Sequence, residues 1–177
     1  MKKYLILTLS IIFFISCNDS KKKNELKKKY KVSLNAKNDS GTSGLISLTQ
    51  INSGEVELEA HVMGLNPGNH AIHIHEKADC TSADGKSAGG HWNPTFENHG
   101  AWGSKDGYHK GDIGNFLADK NGNGGITFST DQWCLGCDDD TKNLIGKAVI
   151  VHQGPDDLIS QPSGAAGARI SCVGIIE

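Results

Sequence analysis

Apolar and polar residues alternate through the middle of the chain with the period of a β-strand. Between Val56 and Val62, apolar residues occupy every second position, and Glu57, Glu59 and His61 occupy the positions between them. Successive side chains of a strand point to opposite faces, so residues two apart share a face. This segment therefore predicts a strand with one buried and one solvated face.

Other short apolar segments, separated by turn-forming residues, predict further strands. We place them at residues 45–48, 71–76, 112–118, 125–130, 148–152 and 169–176. No stretch shows the 3.6-residue period of an amphipathic helix, and 22 Gly among 177 residues favour turns and loops. The pattern predicts an all-β domain of about eight short strands, folded as an antiparallel sandwich or barrel.

Two long segments, residues 77–110 and 153–167, interrupt this pattern. Both are rich in Gly, Ser and Asp and show little apolar periodicity. Loops of this length inside a compact domain are usually functional. We therefore expect these two loops to build the functional site.

Charge divides the chain into a basic beginning and an acidic remainder. Residues 21–31 hold seven Lys and one acidic residue, whereas the chain from Val32 onward holds eight Lys and one Arg against eighteen acidic residues. An acidic domain disfavours nucleic acid as a partner. We interpret residues 18–31 as a Lys-rich, solvated tether, to which anionic lipid is attractive.

The first seventeen residues are typical of a secretory signal. Lys2 and Lys3 precede an apolar run over residues 4–15, which is too short to span a bilayer. Phe14-Ile15-Ser16-Cys17 is similar to the cleavage box of bacterial lipoproteins, in which the Cys carries the lipid. An ordinary signal peptide with an incidental Cys17 is the alternative. We expect a periplasmic protein of the bacterial cell envelope, held to a membrane by lipid at Cys17.

The cysteines fit an oxidising compartment. Apart from Cys17, four remain, namely Cys80, Cys134, Cys137 and Cys172, and an even set predicts two disulfides. Cys134 and Cys137 form a CxxC motif, which is compatible with a redox pair, half of a zinc site or a local disulfide. No second CxxC occurs in the sequence, and we favour the local disulfide.

The histidines indicate a metal site. His73 and His75 share one face of a predicted strand, about 6.6 Å apart, so their imidazoles can converge on one ion. Imidazole together with a carboxylate suits copper or zinc. Of the eight His, His61 and His70 receive no role, and we expect them in solvent and at a turn. The remaining candidates lie in the first long loop, at its exit and at the end of a later strand: His91, His99, His109, Asp112 and His152.

With these motifs in this order, the sequence resembles the copper–zinc superoxide dismutase family from about Leu45 to Glu177. The resemblance implies an eight-stranded Greek-key sandwich or flattened barrel over residues 32–177. It also implies conversion of superoxide to oxygen and hydrogen peroxide by alternating reduction and reoxidation of copper, beside a structural zinc. The matching segments are His73-Ile74-His75-Glu76, Gly90-His91-Trp92-Asn93-Pro94, Asn98-His99-Gly100, His109-Lys110-Gly111-Asp112-Ile113-Gly114-Asn115, Val151-His152, Asp156-Asp157-Leu158 and residues 164–172.

The resemblance also implies a role for individual residues. His91 bridges the two metals and helps to deliver a proton to peroxide, and Asp156 links a copper His to a zinc His. Arg169 stands beside copper and guides superoxide, and Cys80 pairs with Cys172. The copper ligands implied are His73, His75, His91 and His152, and the zinc ligands implied are His91, His99, His109 and Asp112.

One departure from the family pattern and two rival functions stay open. The loop over residues 153–167 is short and lacks a cluster of Lys and Glu, so we expect Arg169 to do most of the guiding. A periplasmic copper- or zinc-binding protein without turnover, built on the same scaffold, is the main rival to the enzyme. A structural or adhesive sandwich is the second. The sequence is compatible with both a monomer and a homodimer.

Overall fold

The computed structural model describes residues 26–176 of the chain. The expected signal peptide over residues 1–17, its Cys17 and residues 18–25 of the expected tether lie outside the described residues. Within residues 26–176, no helix has both the length and the apolar character needed to cross a membrane.

Within the described residues, the regular structure consists of eight strands and one short 3₁₀ helix at Lys86–Ala88. The alternating segments of the sequence form strands as predicted, and several bounds agree to the residue. The strands are β1 (Leu26–Ala36), β2 (Ser43–Ile51), β3 (Val56–Met63), β4 (Gly68–His75), β5 (Asp112–Ala118), β6 (Gly124–Thr130), β7 (Ala148–His152) and β8 (Arg169–Gly174).

The strands close into one antiparallel barrel in the order β1-β2-β3-β6-β5-β4-β7-β8. β3 pairs with β6 and not with β4, the next strand along the chain. β4 lies beyond the β5–β6 hairpin and pairs with β5. This exchange of neighbours is the Greek-key arrangement. The all-β, eight-stranded fold is therefore confirmed.

Alternation along the strands builds the core. On β3, Val56, Leu58 and Val62 face inward and are almost completely buried, whereas His61 on the opposite face is exposed, as expected. Inward rows from the other strands complete one continuous apolar cluster. Trp133 joins it from the loop between β6 and β7 and is 1% exposed.

β4 is buried on both faces from His70 to His75, as β7 is along its whole length. Ile72 and Ile74 pack into the barrel core. His73 and His75 lie on the opposite face and are still only 0% and 1% exposed. The long loops after β4 and β7 therefore cover the outside of this strand, and the imidazoles lie between barrel and loops.

The first strand begins within the segment that we interpreted as a tether. β1 starts at Leu26, and its residues pair with β2, with Tyr30 opposite Leu48. Lys29 and Lys31 point to solvent while Tyr30 packs against the core, so the high Lys content obscured a period of two. The boundary between tether and domain therefore moves from Val32 to Leu26.

Two disulfides hold the described part of the chain. Cys80 in the loop after β4 is bonded to Cys172 on β8, which is the pairing that the family resemblance implies. Cys134 and Cys137 are bonded to each other, which is the local disulfide that we favoured. The first joins parts of the chain that are far apart in sequence, and the second closes a single turn.

We predict that the two disulfides contribute unequally to stability. Cys80→Ser with Cys172→Ser should lower the free energy of unfolding by about 4–5 kcal/mol, because the sequence separation is 92. Cys134→Ser with Cys137→Ser should cost about 2 kcal/mol, because the separation is 3. Urea unfolding of both double variants measures this difference, and equal losses would contradict it.

Candidate metal centre

Two groups of buried side chains bring their ligand atoms together. In each group, the candidate ligand atoms all lie within 4.8 Å of one another. His91 belongs to both groups. The first group is His73, His75, His91 and His152, and the second is His91, His99, His109 and Asp112. The structure thus gathers every residue that the resemblance implied as a ligand, in the two sets implied.

Adjacent strands position three members of the first group. His73 and His75 lie on the outer face of β4, and His152 is the last residue of the neighbouring β7. The Nε2 atoms of His75 and His152 lie 3.4 Å apart. The Nδ1 atoms of these two rings approach backbone carbonyls, that of His75 lying 3.1 Å from Gly89 and that of His152 lying 3.4 Å from Gly167. The rings therefore present Nε2 to the centre of the group.

His91 is held between the groups by the return of the long loop to the barrel. The N–H of Trp92 donates to the carbonyl of Ile74 at 2.8 Å, and the Trp92 side chain is buried. This anchor places the ring of His91 3.9 Å from that of His73, between centroids. On its other side, Nδ1 of His91 lies 2.8 Å from Oδ1 of Asp112.

Asp112 organises the second group from the start of β5. Its Oδ2 accepts hydrogen bonds from the backbone N–H groups of His109 at 2.8 Å and Gly100 at 3.2 Å. The same oxygen lies 3.0 Å from Nδ1 of His99. One carboxylate therefore contacts all three imidazoles of its group, since Oδ1 also lies 3.3 Å from Nδ1 of His109.

Four buried imidazole nitrogens in these groups make no well-aligned hydrogen bond among residues 26–176, although two of them lie within 3.3 Å of an Asp112 oxygen. An unpaired buried polar atom typically costs about 1–3 kcal/mol, and metal coordination would satisfy it. Nε2 of His91 faces the first group, while its Nδ1 faces the second. The donor set of imidazoles and one carboxylate therefore fits two metal ions that share His91. The unpaired atoms are His73 Nδ1, His91 Nε2, His99 Nδ1 and His109 Nδ1.

Asp156, in the loop after β7, connects the two groups. Its Oδ2 lies 2.8 Å from Nε2 of His73, and its Oδ1 lies 2.9 Å from Nε2 of His99. Asn115 on β5 fixes the backbone of Asp156. The N–H of Asp156 donates to Oδ1 of Asn115 at 2.7 Å, and Nδ2 of Asn115 donates to the carbonyl of Asp156 at 2.8 Å. Such outer contacts orient the ligand rings and select their tautomers.

Gly164 lets the second loop pack directly on this carboxylate. Its backbone has a φ of +64°, and a Cβ atom there would lie 1.7 Å from Oδ1 of Asp156 and 2.7 Å from Nε2 of His99. A side chain at this position would displace the groups that hold His99.

Burial and neighbouring charges set the protonation of the site. Burial lowers the pKa of His75 and His152 well below the usual value and lowers that of His91 to about 4. Burial alone would also lower the pKa of His99, but the carboxylates of Asp112 and Asp156 outweigh it and raise this pKa to about 9. His75, His91 and His152 of the first group are therefore neutral at neutral pH, which is the form that binds metals.

A cleft of about 390 Å³ opens onto the first group. His75, His91 and His152 line it together with Arg169. The guanidinium of Arg169 donates to the carbonyls of Gly85 at 2.8 Å and Gly89 at 2.7 Å, which fixes its orientation. Glu76 lines the cleft as well, so a small anion that enters meets the fixed guanidinium in the presence of one carboxylate.

Sequence reasoning missed two residues that support the site. His70 is not at a turn, as predicted, but in β4. It is 2% exposed, and its Nδ1 lies 2.9 Å from the carbonyl of His152. Asn115, which fixes Asp156, received no predicted role, although it ends the motif over residues 109–115. A polar residue in a strand next to a ligand segment was the available signal for both.

Comparison with known proteins agrees with this geometry. The family model for copper/zinc superoxide dismutase (SODC) matches residues 42–176. A double mutant of a SOD-like protein from Bacillus subtilis is similar in structure, with a TM-score of 0.74 and 30% identity, covering 83% of this chain and 97% of that chain. The clock protein EA4 has a TM-score of 0.71 and 31% identity, covering 84% of this chain and 94% of its own.

We predict that the metal-free protein loses stability as the pH falls from about 6.5 toward 4. His91 binds a proton in the unfolded chain with a pKa of about 6.5, but in the folded chain only near 4. Unfolding therefore takes up a proton in this range, which costs about 3 kcal/mol of stability from this group. His75 and His152 act in the same direction.

His99 acts at the other end of the pH range. Its raised pKa contributes stability that is fully present below about pH 6.5 and is lost as the pH rises through about 9. Denaturant unfolding of the metal-free protein from acid to alkaline pH measures both limbs. Stability that stays constant between about pH 6.5 and 4 would contradict the acid limb.

We also predict that Gly164→Ala weakens metal binding by the second group about 10- to 100-fold, because the new Cβ displaces Asp156 from His99. Gly146→Ala is the matched control, since Gly146 also has a positive φ of +88° but no atom within 4 Å of its added Cβ. Zinc competition with a chelator measures both variants. Equal losses would show that backbone strain, and not the contact, is responsible.

Proposed function

The chain belongs to the copper/zinc superoxide dismutase family, and from this premise we propose that it converts superoxide to oxygen and hydrogen peroxide. The first group would hold copper, through His73, His75, His91 and His152, and the second would hold zinc, through His91, His99, His109 and Asp112. One observation carries the proposal: two buried ligand groups share His91 at the base of a cleft that also exposes Arg169.

The metals and the protein divide the chemistry between them. Bound copper supplies the one-electron chemistry that oxidises one superoxide to oxygen and reduces a second to peroxide, and zinc supplies fixed positive charge. The protein must then attract a small anion, orient it and provide protons.

Arg169 attracts and orients the anion. Its two carbonyl contacts hold the guanidinium in the lining of the cleft, together with His75 and His152. A cationic side chain in a narrow cleft focuses the field and raises the association rate even when the domain as a whole is acidic. The guanidinium also offers directed donors to an oxygen anion.

His91 is the residue that we assign to proton delivery. Asp112 fixes its Nδ1, and its Nε2 points into the first group. With Nδ1 fixed by Asp112 and Nε2 without a hydrogen-bond partner among the described residues, Nε2 is the ring atom that would take up a proton from solvent and pass it to a reduced oxygen species.

The rival function is metal binding without turnover on the same scaffold. One similar structure is called a SOD-like protein and another a clock protein, so the family fold occurs under names other than that of the enzyme. Turnover is favoured here because a complete first group faces an open cleft beside a cation. Metal binding without turnover requires neither an open cleft nor a cation beside the metal.

The proposal also covers the location and the partners of the protein, which are supported by the sequence alone. The lipoprotein-like motif at Cys17 supports a periplasmic protein attached to a membrane by lipid. The acidic domain supports the absence of a nucleic-acid partner, and a homodimer is compatible with the chain.

The function is tested by metal analysis and superoxide consumption of the same preparation. We expect one copper and one zinc per chain and rapid consumption, and His152→Ala should lower the rate at least about 100-fold because copper loses a ligand. His61→Ala is the control, since His61 is exposed and belongs to neither ligand group. Metal-loaded protein that leaves superoxide unchanged would establish the rival function.

Arg169 gives a separate prediction. Arg169→Ala should lower the rate about tenfold or more and leave the remaining activity nearly independent of salt, because the loop over residues 153–167 has no Lys. Arg169→Lys keeps the charge and should retain part of the salt dependence. A strongly salt-dependent rate in Arg169→Ala would mean that other charges guide superoxide.

A further inference from the structure

The side chain of Gln161 holds the backbone of His99 by two hydrogen bonds. The N–H of His99 donates to Oε1 of Gln161 at 2.8 Å, and Nε2 of Gln161 donates to the carbonyl of His99 at 2.8 Å. The two residues are 62 positions apart, in different long loops. The carboxamide thus satisfies both backbone groups of His99, as a neighbouring strand would.

His99 needs such support because no strand carries it. Residues 96–100 have no regular secondary structure, whereas His73, His75 and His152 lie on paired strands. Nevertheless His99 is only 3% exposed, with its ring between Asp112 and Asp156. Ligands in irregular segments depend on outer contacts for their position.

A tight turn presents the Gln161 side chain. The backbone N–H groups of the two preceding residues, Ile159 and Ser160, donate to Oδ1 of Asp157 at 2.9 Å and 2.8 Å. The carbonyl of Ser160 accepts from the N–H of Gly164 at 2.7 Å. The turn over residues 157–164 is therefore internally bonded and holds its amide against the first loop.

We propose that Gln161 is a positioning residue for the second ligand group, acting through the backbone of His99. The inference rests on the proposed function only in that the second group binds a metal. A carboxamide suits the role because it carries one acceptor and two donors. Asp156 fixes the His99 ring at Nε2, and Gln161 fixes the backbone, so that Nδ1 is aimed at the second group.

Metal affinity of the full chain, prepared metal-free, tests the proposal. Cobalt(II) is the probe, because its visible absorption reports the geometry of a zinc site, and zinc competition with a chelator gives a second affinity. Gln161→Met keeps length without hydrogen bonds and should weaken cobalt and zinc binding about 10- to 100-fold. Gln161→Glu keeps the acceptor for the His99 N–H and should lose less.

The matched control is Gln153→Met, in the same loop, because Gln153 is exposed and its side chain makes no hydrogen bond within the described residues. Copper affinity of the first group should change far less than cobalt affinity of the second in Gln161→Met. Cobalt affinity equal to that of the wild type, or a loss no larger than in Gln153→Met, would overturn the inference alone. A wild-type chain that binds no cobalt would overturn the proposed function as well.

Discussion

The shared imidazole of His91 is the constraint on which the rest of the structure depends. Its two nitrogens face two different ligand groups, so neither group can be assembled without placing the other. Seven buried titratable side chains stand together, and four of their nitrogens make no well-aligned hydrogen bond within the described chain. Such a cluster is costly unless cations occupy it. The barrel and both loops are arranged to hold this cluster in place.

Barrel and loops contribute to that arrangement in different ways. The strands place His73, His75 and His152 by register, since β4 and β7 are paired. The loops have no such register, and side-chain contacts fix them in addition to backbone hydrogen bonds such as that from Trp92 to Ile74. Asp156 connects the two groups, Asn115 holds Asp156 to β5, and the absence of a side chain at residue 164 permits the close approach.

The sequence predicted what depends on local pattern and missed what depends on distant contacts. Strict alternation predicted β3, and short apolar segments between turn residues predicted other strands, of which β5 and β7 begin and end where predicted. The ligand sets followed from the family resemblance, since spacing alone indicates only that His73 and His75 share a face. β1 begins earlier than predicted. The sequence did not indicate this start because Lys residues lie on both faces of the strand and obscure the alternation.

The supporting residues show why the partner in a distant contact cannot be identified from the sequence. Asn115 binds the backbone of a residue 41 positions away, and Gln161 binds one 62 positions away. Bonds from a side chain to a backbone place no demand on the type of the partner residue. Only the folded loops bring these pairs together, so neither the period nor the composition of the chain indicates them.

Magnetic coupling between metals in the two groups tests the shared imidazole most directly. With copper(II) in the first group and cobalt(II) in the second, a bridging His91 places two paramagnetic ions on one ring. We predict that the electron paramagnetic resonance signal of copper is then lost or strongly broadened, whereas it is intact when zinc replaces cobalt. A copper signal of full intensity beside bound cobalt would contradict the account.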